Sequence, residues 1–399
     1  MCAGPPATGK PQMPVNTPEH IAHTTSLAGD GKPIEKFGEI PKQLVCILRH
    51  ADGRPREGKT GTRVRAARAP RLADFPFHSG NSLGLNFSRR MTKPVPQRPV
   101  PPRRRLPRSF KDLTPSKHFN PRTFFRELVW KAWLTPRTGQ SRCPVFPPLK
   151  RRQVALTWIG HASFLIQFTD LNVLIDPNFA NWLFLLKRLK RAGLKLRDLP
   201  PIDLVLLTHA HFDHFHKPTL RKLPEPKIGV MPRGVGDLAR NLGFTRIVEL
   251  DWWESFSHRD WRVTFTPSKH WGARTLRDHH RGYGGFVLEH QGRTIYHAGD
   301  SAYFDGFKEI GARLAPELAL LPIGAYHPES FRHVHMGPDE AVQAFKDLRA
   351  RMLIPMHYGT FKLSFESLDE PPRWLREIAA RERLTPRVKI LEEGVPVVF

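Results

Sequence analysis

The sequence is poor in cysteine and has no long apolar run. Its three cysteines, Cys2, Cys46 and Cys143, are widely separated and none belongs to a Cys-x-x-Cys pair, so we interpret them as reduced thiols. No stretch reaches the roughly 18 apolar residues of a membrane-spanning helix, and the N-terminus lacks the apolar core of a signal peptide. We therefore expect a cytoplasmic protein.

Acidic residues are scarce in the N-terminal part. Residues 1–150 hold 28 of the 63 Lys and Arg but only 9 of the 37 Asp and Glu, and 94–105 is rich in Pro and Arg. Such a chain buries too little apolar surface to fold, so we expect 1–110 to be a disordered extension. It is either a tail for nucleic acid or anionic membrane, or a dispensable solvated segment. The aromatic-rich segment 111–150 is expected to form a short helix packing on a catalytic domain at 151–399.

Short apolar segments alternate with segments of helical character from about residue 152 onward. Among them are a last helix at 372–383 and a last strand at 388–391. Groups of strands alternate with helices twice along the chain, which indicates an α/β protein with two sheets between helical layers.

Four potential metal ligands follow the apolar run 204–207 within a few residues: His209, His211, Asp213 and His214. Imidazole nitrogen and carboxylate oxygen suit zinc and its borderline neighbours. Three further donors, His270, Asp300 and His357, also directly follow apolar or extended segments. One such histidine alone is more often an ordinary buried residue, but repetition at strand ends favours further ligands.

The His-x-His-x-Asp-His spacing resembles the signature of the metallo-β-lactamase superfamily. The resemblance implies an αββα sandwich with two metal ions. It assigns the first metal to His209, His211 and His270, the second to Asp213, His214 and His357, and the bridging position to Asp300.

Two divalent ions about 3.5 to 4 Å apart can share a hydroxide, because coordination lowers the pKa of water from 15.7 to about 7. The protein then needs no side-chain nucleophile, and Asp213 is a candidate catalytic residue that orients the hydroxide. Zinc is the default ion for these ligands, although iron or manganese occupy similar sets.

Five longer stretches resemble the N-acyl-phosphatidylethanolamine-hydrolysing phospholipase D branch: 268–271, 298–303, 321–326, 335–341 and 357–361. The resemblance implies hydrolysis of a phospholipid phosphodiester. His335 matches the family's histidine near the substrate phosphate, where it would orient the phosphate or protonate the leaving oxygen; a structural helix-start histidine is the alternative. After Gly-Ala-Tyr this chain has His327-Pro328-Glu329 instead of an acidic residue, so we expect headgroup recognition to differ.

A phospholipid substrate requires contact with a membrane. On a helical wheel, residues 182–196 separate an apolar stripe from a basic one, which predicts an amphipathic helix that lies on an anionic membrane at its inner face. Packing of this helix on the core is the alternative.

Two other activities remain open. One is that of a soluble lactonase of the same fold acting on a phosphorylated sugar lactone. The other is a nuclease that uses the basic tail, but the tail has little aromatic interleaving and no RNA-binding module, so nucleic acid is not the expected partner.

Overall fold

The computed structural model describes residues 125–224, 227–275 and 278–399. The predicted extension at 1–110 therefore lies outside the described residues. The described part of the chain forms fifteen strands, which build two large sheets and one small hairpin.

The first sheet has seven strands, numbered in chain order: β1 (Ala155–Gly160), β2 (Ser163–Gln167), β3 (Asn172–Ile175), β6 (Leu204–Leu206), β7 (Lys227–Pro232), β8 (Phe244–Leu250) and β15 (Pro396–Val398). In space their order is β15, β1, β2, β3, β6, β7, β8. Strands β3, β6, β7 and β8 run parallel, so their carboxyl ends share one edge of the sheet.

The second sheet has six strands: β9 (Ser255–His258), β10 (Trp261–Thr266), β11 (Gly285–His290), β12 (Arg293–His297), β13 (Leu318–Pro322) and β14 (Met352–Met356). They are adjacent in the order β14, β13, β12, β11, β10, β9. The parallel trio β12, β13 and β14 again brings strand carboxyl ends to a common edge.

Side chains of β2 show how the layers form. Phe164 and Ile166 join the core that includes Phe286 of the second sheet, whereas Leu165 joins a separate core with Leu220 and Ala239. Alternate residues of a strand point to opposite faces, so β2 is covered on both sides. The predicted αββα sandwich is confirmed.

Six α-helices occur in the described residues: α1 (Lys131–Leu134), α2 (Lys217–Leu220), α3 (Gly236–Ala239), α4 (Gly306–Leu314), α5 (Pro338–Leu348) and α6 (Glu370–Arg381). A π-helical turn, Phe125–Trp130, leads directly into α1. The longest helix has 12 residues, and none of those described meets the length and hydropathy that a bilayer crossing requires.

The predicted amphipathic helix at 182–196 is wrong. The structure has a hairpin there, formed by β4 (Trp182–Leu183) and β5 (Leu186–Lys187), with Phe184 at a positive φ of 54°. The backbone amides bond to distant segments instead of to the previous turn: Leu189 N donates to Thr360 O, and Gly193 N donates to Ile159 O. The predicted exposed basic stripe is also wrong, because the side chain of Arg188 is fully buried.

The expected strand at 388–391 is also wrong, because only an isolated bridge between Val388 and Leu353 forms there. The last strand is β15 instead, which pairs with β1 through Ala155 and Val398. Pro396 is tolerated in β15 because that strand lies at the edge of its sheet.

Candidate metal centre

Loops that follow several strands meet between the two sheets and hold every predicted ligand. The loop after β6 carries the His-x-His-x-Asp-His motif and is tightened by a turn in which Phe215 N donates to His211 O at 2.7 Å. His270 follows β10, Asp300 follows β12 and His357 follows β14. All are buried except His211 and Asp213, which are partly exposed.

His209, His211 and His270 form the first group of donor atoms. His209 Nε2 lies 2.9 Å from His211 Nδ1, and His270 Nε2 lies 3.3 Å from the same nitrogen of His211. Donor atoms in a tetrahedral zinc site with bonds of about 2.0–2.1 Å lie about 3.3–3.4 Å apart. These three nitrogens therefore have the spacing that a single ion requires.

Asp213, His214 and His357 form the second group. Asp213 Oδ2 lies 3.7 Å from His214 Nε2 and 3.8 Å from His357 Nε2. These distances are slightly longer than a tetrahedral edge, and a small rotation of the Asp213 carboxylate would close them.

Asp300 lies between the two groups. Its Oδ1 is 3.2 Å from His214 Nε2, and its Oδ2 is 3.1 Å from His357 Nε2. The same Oδ2 is 3.9 Å from His209 Nε2 and 3.7 Å from His270 Nε2. One carboxylate thus faces both groups, as a residue that bridges two cations must.

Hydrogen bonds outside the groups orient the imidazoles. His270 Nδ1 lies 2.9 Å from Val334 O. A carbonyl oxygen only accepts, so Nδ1 donates and Nε2 presents a lone pair to the other donors. Histidines held in this way by an outer acceptor are typical metal ligands, and the residues present therefore fit a metal centre.

Asp176 is a buried site residue that no sequence motif indicated. Its Oδ1 accepts a hydrogen bond from Thr208 N at 2.8 Å, and its Oδ2 accepts from Thr208 Oγ1 at 2.6 Å and from His214 Nδ1 at 2.7 Å. Since the Thr208 hydroxyl donates to Asp176, it accepts from His209 Nδ1, 2.9 Å away. One carboxylate therefore orients a histidine of each group. Its position directly after β3 matches that of the predicted ligands.

Two further residues hold the motif loop. His161, in the turn between β1 and β2, has its Nε2 3.0 Å from Asp213 Oδ2. Arg274 donates from Nη1 to Ala210 O at 2.6 Å and to Phe215 O at 2.9 Å, so it ties the two ends of the loop together. Neither residue stands in a recognisable ligand motif, and their proximity depends on the packing of separate loops.

Three further histidines, His335, His333 and His297, differ in their relation to the centre. His335 lies beside it, with Nδ1 3.9 Å from Asp300 Oδ2 and its ring centre 5.3 Å from that of His357. His333 is exposed. His297 is buried and accepts at Nδ1 from Gly299 N at 3.1 Å, next to Asp300, so it supports the backbone of the site.

Burial and neighbouring charges shift the pKa values of the side chains in the centre. Burial is the largest influence on Asp213 and Asp300 and raises their pKa, but the surrounding histidines outweigh it and hold both pKa values well below the ordinary range. Burial lowers the pKa of His211 to about 4. Burial also lowers the pKa of His357, but the carboxylates of Asp300 and Asp213 outweigh this effect and raise the pKa to about 9. The carboxylates are therefore ionised, and a bound cation would displace a proton from His357.

Comparison with known proteins agrees with this geometry. A family model described as a β-lactamase superfamily domain matches residues 171–358. A Caenorhabditis elegans protein named N-acyl-phosphatidylethanolamine-hydrolyzing phospholipase D 1 is 35% identical over 251 residues, which cover 57% of this chain and 70% of the relative. The chain belongs to the metallo-β-lactamase superfamily. As a member, it is a metal-dependent hydrolase.

Two other members of the superfamily extend the comparison. The mitochondrial N-acyl-phosphatidylethanolamine-hydrolyzing phospholipase D of Saccharomyces cerevisiae is 31% identical over 255 residues, which cover 60% of this chain and 53% of the relative. This chain therefore spans about half the length of the yeast protein. The solved structure of a metallo hydrolase from Ignicoccus hospitalis is 26% identical with a TM-score of 0.50, covering 62% of this chain and 98% of the other.

Proposed function

We propose that this protein is a zinc-dependent phosphodiesterase of the phospholipase D type that hydrolyses N-acyl-phosphatidylethanolamine or a related phospholipid. The observation that carries the proposal is the placement of Asp300 between two groups of donor atoms. The names of the nematode and yeast relatives support a phospholipid substrate.

In this proposal His209, His211 and His270 would hold the first metal ion, Asp213, His214 and His357 would hold the second, and Asp300 would contribute to both. Histidine and carboxylate donors at these spacings favour zinc. When bound, two such cations would lower the pKa of a water and neutralise the charge that develops on a phosphodiester. Asp213 would orient that water, since its carboxylate lies at the partly exposed side of the centre.

His335 is the proposed contact to the substrate phosphate. Burial lowers its pKa to about 3, so the imidazole is neutral at neutral pH. A neutral imidazole has little tendency to protonate a leaving oxygen, but its N–H donates to a phosphate oxygen. We therefore assign His335 to orientation of the phosphate.

An exposed aromatic surface supports a lipid partner. In the described residues, eight large apolar side chains are exposed, and six of them come from the helical segment 125–134 and the β4–β5 hairpin. These six are Phe125, Trp130, Trp133, Leu134, Trp182 and Phe184. The helical segment itself packs through buried Leu128, Val129 and Ala132, whereas its aromatic side chains are exposed. We call this the helix–hairpin surface.

The helical segment and the hairpin pack against each other, and the hairpin contacts the motif loop. Trp133 donates from Nε1 to Leu185 O at 2.8 Å and packs edge-on against Trp182, with ring centres 6.0 Å apart. Phe184 packs against Phe212 of the motif loop, with ring centres 4.6 Å apart. Exposed Lys131 pairs with Glu127, and the Arg137 guanidinium lies 5.5 Å from the ring centre of Trp182. Aromatic and basic side chains together suit an anionic bilayer interface, so we propose that the membrane contact expected at 182–196 is made by this surface.

The decisive experiment is mass spectrometry of the products from N-acyl-phosphatidylethanolamine vesicles. Zinc-loaded wild type is expected to release an N-acylethanolamine and phosphatidic acid, and Asp213→Asn is expected to release neither. A wild-type protein that carries two zinc ions and yields no such products would contradict the phospholipase assignment. Turnover of a phosphorylated sugar lactone by the same sample would instead favour the lactonase.

A further inference from the structure

His161 combines a buried side chain with a backbone that anchors a proposed ligand. The residue is 1% exposed and has a positive φ of 57° in the turn between β1 and β2. Its N–H donates to Thr360 Oγ1 at 2.8 Å, and its carbonyl oxygen accepts from His357 N at 3.1 Å. The loop that carries His357 is thus bound directly to residue 161.

The imidazole of His161 faces the second group of donor atoms. Its Nε2 lies 3.0 Å from Asp213 Oδ2, and its ring centre lies 4.1 Å from that of His357. The same Asp213 Oδ2 lies 3.7 Å from His214 Nε2 and 3.8 Å from His357 Nε2. The oxygen that His161 contacts is therefore the oxygen that faces the second metal position.

We propose that His161 is a positioning residue of the second metal site. It donates its Nε2–H to Asp213 Oδ2 and holds that oxygen toward His214 and His357, while the second lone pair of the oxygen remains for the cation. Asp213 is partly exposed and lies on a loop, so without this hydrogen bond its carboxylate can rotate away from the centre. The inference rests on the proposed two-metal centre.

Three variants separate this role from direct ligation and from simple packing. His161→Phe keeps a ring beside His357 and Phe361, whose ring centre is 5.4 Å away, but cannot donate. His161→Gln retains an N–H donor of similar reach. Both place a non-glycine residue at the positive φ of position 161, so an unfolding measurement on each metal-free variant accounts for the backbone cost. His258→Gln is the control, because His258 lies on β9 and belongs to none of the described groups of side chains that could hold an ion.

The measurement is the zinc content and stepwise zinc affinity of each full-length protein by competitive titration, with cobalt(II) absorption as a second readout. Loss of an outer hydrogen bond to a metal ligand weakens binding by about 10- to 100-fold. We expect that loss for the second zinc in His161→Phe, an unchanged first zinc, and recovery to within about threefold in His161→Gln.

Two results would overturn the inference. An unchanged second affinity in His161→Phe would reduce His161 to a packing residue, and an equal loss in His161→Gln would make it a direct ligand. Binding of only one zinc by the wild type would contradict the two-metal proposal itself, before any variant is compared.

Discussion

Replacement of Asp176 by asparagine tests whether one buried carboxylate orients the metal centre. Asp176 accepts three hydrogen bonds, one at Oδ1 from Thr208 N and two at Oδ2 from Thr208 Oγ1 and His214 Nδ1. Asparagine keeps the shape but exchanges one acceptor oxygen for an NH₂ group. Whichever way the amide lies, at least one donor then faces another donor.

The size of the effect follows from burial. A hydrogen bond to a charged group contributes about 1.5–3 kcal/mol, and a buried group left unsatisfied costs about 1–3 kcal/mol more. Asp176 is fully buried, so we expect Asp176→Asn to lower the free energy of unfolding by about 3–5 kcal/mol. Zinc affinity is expected to fall about 10- to 100-fold, because His209 and His214 lose their orientation.

Urea denaturation of the metal-free protein measures the first effect, and competitive zinc titration measures the second. Asp305→Asn is the matched control, since the Asp305 side chain is 89% exposed and pairs with Lys308 at the surface. It is expected to change the free energy of unfolding by less than about 1 kcal/mol. The reasoning is refuted if Asp176→Asn stays within about 1 kcal/mol of wild type and binds zinc with unchanged affinity.

Three further predictions concern catalysis, pH and the membrane. His335→Phe removes the N–H donor and should keep both zinc ions but lower kcat about 100- to 1,000-fold, as expected for a lost donor to the reacting group. Loss of zinc instead would make His335 structural. The pKa of His357 is raised from 6.5 to about 9. The protonated side chain therefore stabilises the metal-free protein below pH 6.5, and this contribution is lost as the pH rises to 9. Urea denaturation should show a falling free energy of unfolding over this range, and an unchanged value would contradict the prediction. Trp182→Ser should weaken flotation with phosphatidylserine-containing vesicles by at least about threefold. Val145→Ser is the control, because Val145 is exposed but lies outside the helix–hairpin surface. Equal vesicle binding by the two variants would exclude the proposed membrane contact.

Local patterns in the sequence indicated much of the fold and the seven proposed ligands. Pro338, Asp339 and Glu340 favour the start of helix α5, and Arg349 ends the helix in the left-handed conformation. Strands such as β13 and β14 match their apolar segments residue for residue. Donors that directly follow such strands could be recognised because a strand end is a local feature of the chain.

The tertiary structure decided which side chains meet. Residues 182–196 have a helical apolar pattern, yet their amides bond to Thr360 and Ile159, which lie far away in the chain. His161 reaches Asp213 across 52 positions, and Asp176 reaches His214 across 38. Hydrogen bonds of this kind depend on how the two sheets and their loops pack, whereas periodicity and spacing report only on neighbours along the chain. Spacing along the chain therefore indicated the proposed donors of the metal centre, and the packing of distant loops brings to them the residues that we propose orient them.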